Sequence, residues 1–175
     1  MTRAATTRSV PTPGEHLRLA AQLCFPLYAT TNLVVRLYRP LLKPLGLTYP
    51  QYLVLLVLWE RQAMTVRALG DELHLESGTL SPLLARLQRR GLVRKATDPL
   101  DARRVVVTLT ARGQALRARA LQVPEALLCR FVDGLGDSAL APSELIGLRD
   151  TLRGVLAAWQ RNDRTTRRTH EQHDA

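Results

Sequence analysis

Two short predicted helices joined by a tight turn restrict the fold of this chain more than any other feature. Thr65 is the expected N-cap of the first, which buries apolar residues at helical spacing up to Leu73. Ser77 is the expected N-cap of the second, which runs to Arg90 and stops at Gly91. This arrangement predicts a helix-turn-helix.

A predicted β-hairpin follows directly. Residues 92–96 and 104–109 resemble short strands, and residues 97–103 between them are polar and turn-forming. Helix, turn, helix and hairpin together describe a winged helix, whose second helix enters the major groove of DNA while the hairpin, or wing, crosses the phosphates. We therefore predict a mainly α fold with a small β-hairpin and a winged helix-turn-helix DNA-binding domain at 49–110.

The apolar residues of segment 15–48 are too continuous for a helix with one face in water. No residue from Leu19 to Val35 is charged. Such a helix is covered on most sides, and in a chain of 175 residues part of that cover must come from a second copy. We predict a homodimer in which this N-terminal helix and the C-terminal helices of 111–162 form the dimerisation region.

Boundary residues divide the C-terminal region into predicted helices. Thr110 should cap a long helix that runs toward Phe131 and is bent by Pro124. A turn is expected at 133–136, followed by a last helix from 142 to about 160.

The charge of the chain points to a polyanionic partner. Lys and Arg number 25 against 15 Asp and Glu, a formal charge of +10. Charge alone leaves DNA binding and a generally Arg-rich proteome equally open. The polar tails 1–14 and 163–175 are expected to be disordered. With no signal peptide and no membrane-spanning stretch expected, the predicted location is cytoplasmic.

Hydroxyl and arginine side chains supply candidate DNA contacts in the second helix of the motif. Small hydroxyls near its start suit close approach to base edges and phosphates, and arginines follow along it. For the arginines, DNA contact and a solvated helix face are equally plausible. The candidates are Ser77, Thr79, Ser81, Arg86 and Arg89, with Arg90 beside them.

The wing carries a second set of candidate contacts. Arg103 and Arg104 follow Asp101 closely, so one guanidinium can be braced by the carboxylate while another reaches into the minor groove. The alternative is a surface ion pair, which contributes little to stability.

The sequence offers no pattern for a metal site or for enzyme catalysis. Cys24 and Cys129 form no CxxC motif and have no neighbouring histidine, so reduced thiols are expected. A carboxylate pair, a Gly-rich phosphate loop and a nucleophile elbow are not found, so no cofactor and no enzyme activity are predicted. The histidines have no metal-ligand spacing and are interpreted as surface residues: His16, His74, His170 and His173.

Several stretches resemble the organic hydroperoxide resistance regulators of the MarR family. The helix-turn-helix and wing alone would indicate only the MarR family, whereas the cysteine with its tyrosines narrows the resemblance to the hydroperoxide sensors. The resembling stretches are 23–28, 37–42, 47–54, 58–60, 75–84, 101–104 and 109–128.

The resemblance implies a repressor that leaves operator DNA when Cys24 is oxidised by an organic hydroperoxide. It also implies that the repressed gene encodes a thiol peroxidase. In that family, tyrosines matching Tyr38 and Tyr49 donate hydrogen bonds to the cysteine from the other subunit. Tyr38 follows Cys24 by fourteen residues, about 21 Å of helix, which agrees with a contact from the partner chain. Tyr28, one turn after Cys24, could line the pocket within one chain. Cys129 matches the resolving cysteine of the two-cysteine members.

Four alternatives remain open at this point. Cys24 could be an inert core thiol, and Cys129 a helix-face residue packed beside Leu128. A MarR-type repressor could instead respond to a small aromatic acid, with Cys24 incidental. A thiol peroxidase would differ from a sensor by multiple turnovers with a reductant.

Overall fold

The computed structural model describes residues 14–136 and 141–171, so most of the predicted disordered tail 1–14 and residues 172–175 lie outside the described part. The described part is mainly helical with one small sheet, as the sequence predicts. The chain divides into two compact units between Leu127 and Leu128. The elements are α1 (Cys24–Leu42), α2 (Tyr49–Arg61), β1 (Ala63–Thr65), α3 (Val66–Leu73), α4 (Ser77–Arg89), β2 (Val93–Asp98), β3 (Asp101–Leu109), α5 (Ala111–Ala120), α6 (Val123–Leu135) and α7 (Pro142–Glu171).

The hydrophobic core lies in the first unit, where α2, α3, α4 and the sheet meet. Helix α4 contributes one apolar face whose leucines recur at helical spacing, and burial of that face holds it in place. The tryptophan of α2 is also anchored, because the Trp59 indole N–H donates to the Gly113 carbonyl at 3.0 Å. Fully buried side chains of this core include Leu42, Leu55, Leu58, Leu69, Leu80, Leu84, Leu87 and Val107.

Two predicted helix caps are confirmed and one is wrong. Thr65 Oγ1 accepts from the Ala68 N–H at 3.1 Å, and Thr110 Oγ1 accepts from the Gly113 N–H at 3.0 Å. The predicted cap Ser77 is instead the first residue of α4, and Glu76 is the N-cap. The helix begins one residue early because the Glu76 carbonyl already accepts from the N–H of the residue four positions later, at 2.9 Å.

The sheet has three antiparallel strands in the order β1-β3-β2. Strand β1, which the sequence did not predict, pairs Ala63 with Thr108, and three residues are too few to show a periodicity. Strands β2 and β3 extend further toward the tip than expected, since Asp98 pairs with Asp101. Only Pro99 and Leu100 therefore remain between the strands of the wing.

Several predicted boundaries in the helices need correction. The long helix expected to bend at Pro124 is two helices, α5 and α6, and Pro124 lies in the first turn of α6, where a missing N–H costs nothing. The turn expected at 133–136 is helical up to Leu135. Helix α7 continues past the expected end near Gln160 to Glu171. Within the predicted N-terminal helical region 15–48, residues 15–21 form two 3₁₀ turns and α1 begins at Cys24.

Helices α1 and α7 leave many apolar side chains exposed in the single chain, as expected for segments that a second copy covers. The exposed apolar residues are Leu23, Phe25, Leu27, Tyr28 and Leu33 in α1 or just before it, and Ile146, Leu148, Leu152, Val155, Leu156 and Trp159 in α7.

Within the described residues no single helix is long and apolar enough to cross a membrane. Cys24–Leu45 and Tyr49–Arg61 meet that criterion only as a pair, which is bent by 69°.

Candidate nucleic-acid interface and cysteine sites

Helix α4 separates cleanly into a buried and an exposed face. The buried face carries four leucines, at positions 80, 83, 84 and 87. All the predicted DNA contacts of this helix lie on the opposite, exposed side: Ser77, Thr79, Ser81, Arg86 and Arg89. Because packing of the leucines fixes the helix axis and rotation, the hydroxyls and guanidinium groups are left on the exposed side of the helix, where they are accessible to a nucleic acid.

The wing is a stiff hairpin whose tip is braced by two carboxylates. Asp98 Oδ1 accepts from the Leu100 N–H, and Asp101 Oδ1 accepts from the Arg103 N–H, each at 3.0 Å. The expected role of Asp101 is therefore wrong in one respect, since it braces the backbone of Arg103 and not a guanidinium group. A carboxylate two residues before a backbone N–H forms a local turn more readily than it reaches a long side chain.

The candidate DNA-binding arginines are not neutralised by carboxylates among the described residues. The ion pairs in that part of the chain are Arg61 with Glu60 at 3.5 Å and Arg149 with Asp150 at 2.8 Å. Arg86, Arg89, Arg103 and Arg104 are all exposed. Their charge is thus available to phosphates, whereas the surface ion pair considered for Arg103 is not formed with the described residues.

Arg90 takes neither of the roles that the sequence left open. It is half-buried at the end of α4, and its guanidinium group donates to the backbone carbonyls of Leu45 and Gly46. The contact joins residues 45 positions apart in sequence. No sequence pattern signals such a contact, because it depends on how α4 packs beside the segment after α1.

Both cysteines are free and exposed. Cys24 is the first residue of α1. Tyr28, one turn later, is 68% exposed. Cys129 lies in α6, in the second unit. The thiol that would sense peroxide is therefore accessible to a reagent in the single chain.

The predicted sensor tyrosines Tyr38 and Tyr49 meet in one chain. Their ring centroids are 4.5 Å apart, and Tyr52, which the sequence analysis did not select, stacks beside Tyr38 at 5.8 Å. Tyr52 could have been found from its position one turn after Tyr49 on α2. Tyr28 lies ten residues before Tyr38, about 15 Å along the same helix, so it is not part of this cluster.

Burial keeps the phenols of this cluster protonated. Burial, with the neighbouring Tyr49 and Tyr52, raises the pKa of Tyr38 from 10.0 to about 12. Burial also raises the pKa of Tyr49 and, helped by Tyr49, that of Tyr52. A protonated phenol can donate a hydrogen bond, and a donor aimed at sulfur favours thiolate over thiol.

A cavity of about 270 Å³ opens between α2 and the α5–α6 region. Its walls are mainly apolar, with Glu60 and Arg117 as the charged lining residues. In the described part of the chain, no cluster of three or more histidine, cysteine or acidic side chains could hold a metal ion. The other lining residues are Tyr52, Leu56, Trp59, Ala120, Leu121 and Pro124.

Comparison with known proteins decides the family. Residues 47–105 match the MarR family. An organic hydroperoxide resistance transcriptional regulator of Bacillus subtilis (strain 168) is 40% identical over 138 residues, which are 79% of this chain and 94% of the relative. The chain belongs to the MarR family. It is therefore a DNA-binding transcriptional regulator and not an enzyme.

Solved MarR-family structures agree with the fold. Overoxidised AbfR bound to DNA superposes with a TM-score of 0.64 at 36% identity, covering 83% of this chain and 97% of that one. AbfR is a protein of Staphylococcus epidermidis. PcaV of Streptomyces coelicolor, in complex with its natural ligand, superposes with a TM-score of 0.70 at 27% identity, covering 81% and 96%. The winged helix-turn-helix predicted from the sequence is thus confirmed, while the roles of individual site residues stay predictions.

Proposed function

We propose that this MarR-family regulator is a cytoplasmic, redox-switched repressor that binds operator DNA as a homodimer and releases it when an organic hydroperoxide oxidises Cys24. The observation that carries the proposal is an exposed thiol at the first turn of α1 in a chain that also pairs two protonated phenols, Tyr38 and Tyr49. Its similarity to a hydroperoxide resistance regulator and to AbfR, which is known in reduced, overoxidised and disulfide forms, supports a regulator that works through cysteine oxidation.

DNA is read by α4 and the wing in this proposal. The exposed hydroxyls Ser77, Thr79 and Ser81 with Arg86 and Arg89 enter the major groove, and Arg103 with Arg104 follows the minor groove and phosphates. Two copies place two α4 helices about one helical turn of DNA apart, so the operator is a pseudo-palindrome.

The sensing chemistry needs only a thiolate and the peroxide. The Cys24 thiolate attacks the O–O bond of ROOH; the sulfur becomes a sulfenic acid, and the departing RO⁻ takes a proton to give the alcohol. The thiol of Cys129 from the partner subunit then condenses with the sulfenic acid, forming a disulfide and releasing water. Apolar surroundings favour an alkyl or lipid hydroperoxide over hydrogen peroxide, which has no apolar group to bury. The gene that is derepressed when the protein leaves DNA is proposed to encode a peroxidase of organic hydroperoxides.

The decisive experiment follows DNA release and Cys24 chemistry together. Gel shifts on a duplex selected by the reduced wild type are run with and without stoichiometric cumene hydroperoxide, and the protein is analysed by mass spectrometry. The wild type should release DNA with Cys24 oxidised, and Cys24→Ser should bind DNA but ignore peroxide, since a hydroxyl is far less nucleophilic than a thiolate. A Cys24→Ser protein that still releases DNA under peroxide refutes the mechanism.

The role of Cys129 is tested on non-reducing gels. Oxidised wild type should run as a covalent dimer, while Cys129→Ser should stay monomeric with its Cys24 still oxidised. If Cys129→Ser forms the same covalent dimer, or the wild type never forms one, Cys129 is a packing residue and Cys24 acts alone.

A second function is favoured by the cavity beside Trp59. Its apolar walls suit an aromatic ring and Arg117 can pair with a carboxylate, although Glu60 also lines the cavity, and PcaV is known in complex with its natural ligand. Release of DNA by an aromatic acid, with Cys24 unmodified and DNA retained after peroxide treatment, would support this function in place of the redox switch.

A further inference from the structure

The segment that joins α1 to α2 is held by two arginines from distant parts of the chain. Arg119 Nη2 donates to the Pro44 carbonyl at 2.9 Å, and Arg90 Nη2 donates to the Leu45 carbonyl at 3.0 Å. Arg90 Nη1 also donates to the Gly46 carbonyl. These three carbonyls belong to the connecting segment after α1, and a guanidinium group, with several N–H donors in a fixed fork, can donate to more than one of them.

Gly46 shapes this contact in two ways. Its φ of +64° is a left-handed conformation that side chains disfavour, and a Cβ there would lie 2.6 Å from Arg90 Nη2. The guanidinium group of Arg90 therefore lies directly against the bare backbone of the segment. We call this contact, Arg90 with the carbonyls of Leu45 and Gly46, the Arg90 clamp.

The two arginines hold the same segment but belong to different elements. Arg90 directly follows α4, which carries the DNA-reading side chains, whereas Arg119 belongs to α5. Leu45 and Leu47 beside Gly46 are buried, as is Leu87 one turn before Arg90, so both ends of the clamp are anchored in the core. Close-packed interiors transmit small displacements, so a shift at the end of α1 reaches the end of α4 through Arg90.

The segment held by the Arg90 clamp lies between the helix that begins at Cys24 and the tyrosine that begins α2. It lies immediately after α1, which begins at Cys24 and carries Tyr38, and immediately before Tyr49. We propose that Arg90 is a positioning residue that fixes the α4 recognition helix against the end of α1 and passes changes in α1 to DNA binding. Arg119, on α5, donates to the Pro44 carbonyl of the same segment and serves as the comparison residue. The redox part of this inference rests on the proposed function; the positioning part does not.

Three variants test whether Arg90 positions α4 or only stabilises the segment between α1 and α2: Arg90→Ala, Arg90→Lys and Arg119→Ala. Lysine keeps the charge but lacks the rigid fork that reaches two carbonyls, so Arg90→Lys controls for lost charge. Fluorescence anisotropy gives the affinity of each reduced protein for a duplex selected by the wild type and for a scrambled duplex, at one salt concentration. The operator affinity is then measured again after cumene hydroperoxide, with Cys24 oxidation followed by mass spectrometry.

Both Arg90 variants should lower the ratio of operator to scrambled affinity at least about fivefold, and shrink the loss of operator affinity on oxidation by about the same factor. Cys24 should be oxidised at the wild-type rate in every variant. Arg119→Ala should keep both quantities within about twofold of the wild type, a shift smaller than typical coupling energies. If Arg90→Ala does not fold, Arg90→Lys against Arg119→Ala decides the same question.

Three outcomes overturn the inference. Equal losses in the Arg90 and Arg119 variants would mean that the arginines only stabilise the segment. Equal weakening on both duplexes with an unchanged ratio would make Arg90 a phosphate contact. If both Arg90 variants keep the wild-type affinity ratio and the wild-type loss of affinity on oxidation, the clamp does not affect DNA binding. A wild type that ignores peroxide contradicts the proposed function alone, because the affinity ratios of the reduced proteins still test the clamp.

Discussion

The winged helix and helix α7 use the same kinds of residue in opposite ways. In α4 the apolar stripe is buried within the chain and the polar stripe is exposed: Leu84 is 0% exposed, and the arginines around it face solvent. In α7 the apolar stripe itself is exposed, with Leu152 at 39%. The winged helix is therefore complete in one copy of the chain, whereas α7 presents an apolar surface that one copy leaves uncovered.

This difference indicates which surface of the protein gains from oligomerisation. A helix that leaves several leucines in water gains by covering them, because each buried side chain contributes about 1.5–3 kcal/mol. The exposed face of α4 needs no such cover, since it is polar and charged. Dimerisation can thus set the spacing of two winged helices without contributing to their internal packing.

The largest expected effect comes from adding one methyl group to Gly113, in the first turn of α5, where that helix packs against the winged helix. In Gly113→Ala the new Cβ would overlap the backbone carbonyl oxygen of Leu92, which is held in place because it accepts from the Thr110 N–H at 3.1 Å. We expect a loss of about 4 kcal/mol, at the upper end for single substitutions. Gly154→Ala in α7, where nothing lies within 4 Å, is the matched control and should gain up to about 1 kcal/mol. Urea unfolding measures both, and equal effects would contradict the comparison.

Two leucine truncations test the comparison directly. Leu84→Ala should lower the unfolding free energy by about 2–5 kcal/mol through the cavity it leaves, with an unchanged dimer dissociation constant. Leu152→Ala should instead raise that constant. Sedimentation measures association and chemical denaturation measures stability. If Leu152→Ala leaves the dimer as tight as the wild type, this part of α7 is not in the interface.

The third prediction concerns charge rather than packing. Arg103→Ala in the wing should weaken operator binding by at least about 1 kcal/mol and leave the fold intact, because its exposed side chain has no ion pair with the described residues to lose. Arg149→Ala in α7 removes the same charge from a residue paired with Asp150 and should not change affinity. Anisotropy at physiological salt compares them, and equal affinities of the two variants would remove Arg103 from the interface.

The smallest effect is expected where α1 meets the core, at Tyr38. Its pKa is raised to about 12 by burial, so between about pH 10, where an unfolded tyrosine ionises, and pH 12 the folded protein keeps a proton that the unfolded chain loses. Stability should therefore fall as pH rises through this window. Tyr38→Phe should make the fall shallower, with no difference in pH dependence near neutrality. Denaturation measured across this range checks it, and identical slopes would refute the raised pKa.

Local patterns were enough to predict most of the winged helix. The cap at Thr65, the stop at Gly91 and the cap at Thr110 follow from hydrogen bonds between residues a few positions apart, so the sequence shows them directly. The start of α1 at Cys24 could be predicted for the same reason, since Pro26 is tolerated only near a helix start. The exposed side of α4 follows from the helical period of its leucines.

Tertiary packing decided the features that join distant residues. Strand β1 exists because Ala63 pairs with Thr108, and the guanidinium group of Arg90 turns back onto the chain because it reaches carbonyls 44 and 45 positions away. Tyr52 could be selected from its spacing to Tyr49, but its ring meets that of Tyr38 only because α1 and α2 pack together. Such contacts depend on how the whole core packs. A short stretch of sequence does not indicate which distant carbonyl or ring will lie beside it.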